Sequence, residues 1–322
     1  MARSVFDAPQ FKDEAAAFAY VEGKLWPHGP VCPHCGTVDN ATAMKGATTR
    51  QGLYKCKSKE CRKPFTVRMG TIFESSHLPL RLWLQVIHLM CASKKGISAR
   101  QIQRMLDCSM KTAWFLAHRI REAMADGSVE PFGSAGTAVE ADETFLGINP
   151  NARRVGTPIR NMNAILTIVD RASGRARSQV IDRVDAATVA PILQINVSRK
   201  ARLMTDYGLH YFRHGWLFAQ HGRVNHSAHE YVKADDASVH TNTVEGTFSV
   251  FKRGMRGVYQ HCSRKHLHRY LSEFDFRYSN RAKLGVDDAA RADTALRGVA
   301  GKRLTYRTVS ERRAGAEERL VW

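Results

Sequence analysis

Four cysteines in two close pairs, Cys32-Pro-His-Cys35 and Cys56-Lys-Ser-Lys-Glu-Cys61, set the tightest constraint on how this chain folds. The segment that carries them is short and polar, so it cannot order itself around an apolar core of its own. Each pair sits on a knuckle-like turn, with Gly36 after the first and Arg62-Lys63-Pro64 after the second. Thiolates at these spacings suit tetrahedral zinc, which contributes roughly 10 kcal/mol or more of folding free energy. A redox pair or a disulfide is the competing reading of paired cysteines. Four together favour zinc, although the longer second gap is less usual than the first. His34 stands beside a complete ligand set as a bystander, and Cys91, Cys108 and Cys262, with no close partner, read as packing or surface thiols.

The charge balance narrows the partner. Across 322 residues, 49 Lys+Arg face 30 Asp+Glu, giving +19 with the cations spread along the chain. Such an excess points to a polyanion. The chain has no apolar run long enough to span a bilayer and no strongly amphipathic basic anchor, so no membrane partner is expected. Its start, Met1 to Asp7, lacks the apolar stretch of a secretion signal, so a cytoplasmic location with reduced cysteines is expected.

Four regions follow from the patterning. Residues 1–70 hold a short helix over 11–25 and the zinc ribbon. Residues 71–126 turn helical: Leu82, Val86, Leu89 and Met90 form one stripe, Ser98 caps a short helix with Ile102, Met105 and Leu106, and Ser109 caps a third with Ala113, Leu116, Ala117, Ile120 and Met124. The outline is helix-turn-helix-like and DNA-binding, with Lys111, Thr112, Trp114, His118 and Arg119 facing outward from the last helix. A Gly/Ser/Pro linker at 126–136 then opens a domain over 137–285, and residues 286–322 read as a basic tail.

That third region reads as α/β. Thr137–Gly147 alternates like a strand, with Ala138, Glu140 and Asp142 on one face and Glu143 on the other. Strands over 164–169 and 178–181 flank a turn at Asp170–Gly174. A helix over 185–195 carries Pro191, which weakens it, and Arg202–Gly208 is a strand with Asp206 at its end. In the last helix Val244, Phe248, Phe251 and Met255 fall on one stripe, while Glu245, Ser249, Lys252 and Arg256 fall about 100° round from it. Asn242 three residues before Glu245 also matches a capping box, a purely structural role for both. Phosphodiester chemistry uses two divalent cations held by carboxylates from different elements, and Asp142, Asp206 and Glu245 meet that need with hard oxygen donors suited to magnesium or manganese. Asp170 is a rival acid, but its Asp-Arg-Ala-Ser-Gly setting is that of a turn.

Val139-Glu-Ala-Asp-Glu-Thr-Phe-Leu-Gly147, Met204-Thr-Asp-Tyr207, Val224-Asn-His-Ser227 with Glu230-Tyr231, His240-Thr-Asn-Thr-Val-Glu245, Phe251-Lys-Arg-Gly254 and Lys265–Arg277 resemble the DDE transposases of bacterial insertion sequences. More narrowly they resemble the ISXO-two-like group, in which a zinc ribbon precedes the transposase core; the likeness runs from about Phe11 to Arg281. The resemblance implies an RNase H-like core that cuts element ends and joins them to target DNA. It makes Asp142 and Asp206 the first two acids of a two-ion magnesium or manganese site. Related groups differ between Glu and Asn at the third place, and this chain has both Glu245 and Asn242; Glu245 is favoured because a carboxylate brings charge to a dication. The seven-residue step to Lys252 matches the family's acid-to-lysine spacing, making Lys252 a DNA contact, with Arg253 and Arg256 adding phosphate contacts. A bacterial, nucleoid-associated location and at least a dimer follow from the same analogy. Two other functions fit the composition: a catalytically silent zinc-ribbon DNA-binding protein, and a nuclease with this core but no strand transfer.

Overall fold

Phe11, Ala17, Phe18 and Val21 are buried, and the helix expected over 11–25 forms in two pieces, α1 (Pro9–Lys12) and α2 (Glu14–Leu25). Asp13 makes the break: extended itself, it accepts the Ala16 amide on its carboxylate at 2.7 Å and so caps the second piece. The computed structural model describes residues 4–128, 130–150 and 161–305. These fall into two units, one of residues 4–92, 99–124 and 292–305 and the other of 93–98, 125–128, 130–150 and 161–291.

In the first unit, β1 (Ala41–Ala43), β2 (Tyr54–Cys56) and β3 (Pro64–Phe65) pair antiparallel in sequence order. Trp26 packs edge-on against Tyr54 and Phe65, giving the small sheet its apolar backing. The helical region holds α3 (Leu80–Ala92), α4 (Ala99–Leu106) and α5 (Met110–Met124). Glu14 starts α3 by accepting the Leu80 and Arg81 amides at 2.7 and 3.1 Å, an acid at the positive end of a helix. Between α4 and α5 the chain turns through Asp107 in the left-handed region (φ 46°), and the Ser109 hydroxyl caps α5 by accepting the Thr112 amide. Two expectations fail here. Met105 stays exposed, leaving Ile102 as the buried anchor of α4. His118 and Arg119, expected on an outer face, are buried, because residues 116–121 are covered all round. The Arg119 guanidinium donates to the Glu74 carbonyl at 2.6 Å and lies over the Trp83 ring, whereas Lys111 is exposed and Trp114 half-buried.

The second unit is a five-stranded sheet with helices on both faces. β4 (Ala138–Ile148), β5 (Met162–Asp170) and β6 (Ala176–Ile181) form an antiparallel meander. Helix α6 (Ala186–Asn196), capped by Asp185 and unbroken by Pro191, crosses back so that β7 (Arg202–Asp206) pairs parallel to β4. After α7 (Leu209–Phe212), β8 (Gln220–Val224) pairs parallel to β7. The resulting order, β6-β5-β4-β7-β8, is that of an RNase H-like sheet. Alternation decides the faces. Val139, Ala141, Leu166, Ile168 and Leu203 pack with Val189 and Leu193 of α6 and Tyr211 of α7. On the other face, Ile165 meets Phe251 of α8 (Asn242–Gly254) and Leu267, Leu271 and Phe274 of α9 (Arg264–Ser279), while Val169 meets Val244 and Phe248 of α8. The predicted apolar stripe of α8 is therefore the buried one.

Helix α9 carries an ion pair in its interior. Glu273 and Arg277 are buried and paired with one another, and the Tyr259 hydroxyl donates to Glu273 at 2.5 Å. Arg281 donates to the carbonyls of Gly174 and Tyr278 at 2.7 Å each. In the expected basic tail, α10 (Asp288–Arg297) forms and buries Ala295 and Leu296. The rest of that tail, 306–322, and the first residues, 1–3, lie outside the described residues.

Asp275 on α9 yields a stability prediction. Its carboxylate accepts the Ser178 amide and hydroxyl, both at 2.7 Å, and burial pushes its pKa up to about 7. The folded chain thus keeps this proton up to about pH 7, whereas an unfolded aspartate releases it near pH 4. Between those values the folded state binds more protons, so stability falls as pH rises, and the loss is complete above pH 7. Asp275→Asn preserves both bonds, accepting from the amide and donating to the hydroxyl. It should melt above the parent at pH 8 and converge with it near pH 4; parallel melting curves across that range would contradict the assignment.

Candidate functional site

The parallel pairing of β4 and β7 fixes the first two acids. Glu140 stands opposite Met204 in that register. The paired residues end there; two residues further along each strand, alternation puts Asp142 and Asp206 on the face that carries Glu140. Asp206 ends β7, where its carboxylate accepts the Gly208 amide at 2.9 Å. Asp142 accepts the amide of its neighbour Glu143 at 2.7 Å. Burial raises the Asp142 pKa to about 8, and the charges of Glu143, Asp206 and Glu245 add to the effect. A carboxyl whose nearest charges are all negative sits in a pocket that favours cations.

The third acid arrives through a contact absent from the sequence reading. Glu140 is fully buried, and its carboxylate accepts the Val244 amide in the first turn of α8 at 2.8 Å. The same carboxylate receives the Arg171 guanidinium at 2.5 Å. This acid, not Asn242 with Glu245, satisfies the helix start: the N-cap is Thr241, which makes no side-chain cap bond, and Asn242 is exposed. Glu245, one residue after the clamped amide, is half-buried, and its Oε1 lies 3.1 Å from His226 Nε2. His226 also lies 3.0 Å from the Thr241 hydroxyl, so the loop after β8 steadies the start of α8. Two turns on, the Lys252 ammonium makes no hydrogen bond or ion pair with a described residue. Arg253 and Arg256 beyond it are exposed, Arg253 donating to the Ser249 carbonyl at 3.1 Å.

On the opposite face of β4, Glu143 accepts from the Tyr211 hydroxyl at 2.6 Å and lies 3.0 Å from His210 Nε2. Asp170 accepts the Ala172 amide and the Ser173 hydroxyl, the turn former its sequence describes. Glu140 and His226 were the residues missed as site members. Glu140 was legible only as a face-mate of Asp142, and His226 only as part of the Asn-His-Ser motif.

In the first unit, Cys32, Cys35, Cys56 and Cys61 bring their sulfurs within 4.8 Å of one another, the one such group of possible metal ligands among the described residues. Cys32–Cys61 and Cys35–Cys56 are each 3.7 Å apart. That separation is far too long for a disulfide and close to the edge of about 3.8 Å that a tetrahedron with 2.3 Å zinc–sulfur arms requires. Four thiolates at that spacing fit structural zinc. His34 instead lies 3.4 Å from the Pro64 carbonyl, outside the group. The purified chain should carry one tightly held zinc, and chelation or Cys35→Ser should open residues 30–65 to protease while residues 138–279 stay protected. A zinc-free chain equally resistant over 30–65 would refute the ligand set.

The two sites fall in segments with known relatives. Residues 12–64, which hold the four cysteines, match the family model of the transposase zinc-ribbon domain. Residues 134–279, which hold Asp142, Asp206, Glu245 and Lys252, match that of the ISXO2-like transposase domain. A Halobacterium salinarum protein described as an uncharacterized protein in transposable element ISH50 is 26% identical over 271 residues, 78% of this chain and 86% of the relative. Ribbon first and transposase domain second, the chain is similar in both segments, and in their order, to the ISXO2-like transposases of insertion sequences.

Proposed function

We propose that this chain is a transposase that cuts the ends of its element and joins them to target DNA at one site built from Asp142, Asp206 and Glu245. What supports this reading is the parallel β4–β7 pairing, whose alternation directs both aspartates to one face, together with the clamp of α8 onto that face by Glu140. Carboxylates from three separate elements make a hard-oxygen donor set fitted to magnesium or manganese. Two such ions would supply Lewis acidity at the scissile phosphate and its attacking and leaving oxygens.

The chain's own groups do the rest. Asp142 and Asp206 would hold the divalent ions at the reacting phosphate, and Glu245, which His226 contacts at 3.1 Å, would complete the set from α8. Lys252 lies about 10 Å further along the helix and takes the next phosphate of the strand, with Arg253 and Arg256 on those beyond. Lys111 and Trp114 at the start of α5 give the helical region its own DNA contact. Arg119 has no part in that contact, since its guanidinium is committed to the Glu74 carbonyl. Hydrolysis at an element end and attack by the freed 3′-hydroxyl on target DNA are both in-line displacements at phosphorus, so one set of acids serves both.

The test is the purified chain with magnesium and DNA carrying the repeats that flank its coding region. Asp142→Asn, Asp206→Asn and Glu245→Gln should each reduce cutting and joining by about a thousandfold or more, the several kcal/mol expected from losing an ion ligand. Asn242→Ala should stay active. Retained activity in the aspartate variants would overturn the site, and cut ends without joined products would make the protein a nuclease.

A further inference from the structure

Directly after Asp206 the chain exposes large apolar side chains in close succession: Tyr207 at 52%, Leu209 at 85%, Phe212 at 61% and Trp216 at 78%. Side chains of this size left in water in one short, ordered stretch mark an interaction surface. Their arrangement specifies the partner. The Arg223 guanidinium lies between two of the rings, 4.5 Å from the centre of Tyr207 and 4.9 Å from that of Phe212. It makes no hydrogen bond or ion pair with a described residue. Arg223 stands on β8 opposite Thr205, one residue before Asp206, so the stacked trio lies at the end of the sheet where Asp206 lies.

An apolar protein surface would cover the rings but strand the cation. A nucleic-acid strand satisfies both, offering base faces to the rings and phosphate to the guanidinium. Paired bases hide their faces in the duplex stack, so only unpaired or splayed bases can use such a surface. We propose that Tyr207, Phe212 and Arg223, with Trp216 on the turn that follows, form a stacking platform for unpaired bases of the DNA strand that enters the acid site. The inference rests on the acid assignment above and adds a strand-state preference to it. The Arg223 cation holds both rings in place before DNA arrives, so little side-chain freedom is lost on binding.

The test measures affinity for a short single-stranded oligonucleotide of mixed sequence and for the duplex of the same sequence, without added magnesium or manganese. In a Tyr207→Ala/Phe212→Ala chain, single-strand affinity should fall about tenfold or more while duplex affinity changes less than about twofold. A Tyr207→Phe/Phe212→Tyr chain, which keeps both rings, should bind both forms as the parent does. The proposal fails if the alanine pair binds the single strand like the parent, or loses both forms alike through a change in folding or oligomeric state. It fails too if the ring-preserving pair loses as much as the alanine pair. No catalysis is involved, so an active Asp142→Asn enzyme would overturn the acid assignment without moving these affinities, and the two failures are distinguishable.

Discussion

A single carboxylate with no exposed surface, Glu140, decides where α8 sits. Burying a charge is costly unless it is paired and hydrogen-bonded, and here the Val244 amide and the Arg171 guanidinium meet that need. Arg171 in turn donates to the carbonyls of Ser238 and His240, so the loop entering α8 is held by the same pair. The acid also faces the positive end of the helix, which adds to its hold. A slip of one residue along α8 would turn Glu245 by about 100° away from Asp142. The clamp sets the register of the helix as well as its position, and the chemistry proposed for the acids needs both.

The two units solve the same problem with different means. In the sheet unit the apolar stripe of α8, the buried strand β5 and the stripe of α9 supply a core large enough to tolerate an internal Glu273–Arg277 pair. In the ribbon the strands are two or three residues long and the apolar backing is little more than Trp26, Tyr54 and Phe65. Zinc held by the four clustered sulfurs would compensate for that small core. Nearby, Glu14 fixes the start of α3 much as Glu140 fixes α8, a carboxylate from another element meeting helix-start amides.

Periodicity carried the fold a long way. Val244, Phe248, Phe251 and Met255 are all buried, and the face shared by Glu140 and Asp142 is the face on which α8 docks. The ligand cysteines were legible because their spacing is local. Strand β8 was not: Gln220-His-Gly-Arg-Val224 has one buried apolar residue, and its pairing comes from the neighbouring β7 rather than from any alternation of its own. His118 and Arg119, expected outside, are buried for the reason that also buries Glu273 and Arg277. Pattern assigns charge to the outside, while these side chains are covered by packing from elsewhere in their unit. The Asn242–Glu245 spacing suggested a local cap, yet the cap comes from Glu140, 104 residues away in the chain. Contacts of that span leave no trace in spacing.

The central claim is that Asp142, Asp206 and Glu245 share a pocket able to hold divalent ions. The direct measurement is anomalous diffraction from crystals of the chain soaked in manganese with a DNA end bound. The account predicts manganese peaks bounded by those three carboxylates at the end of β7, apart from the zinc of the ribbon. Manganese found only elsewhere, with the three carboxylates turned to separate surfaces, would contradict it.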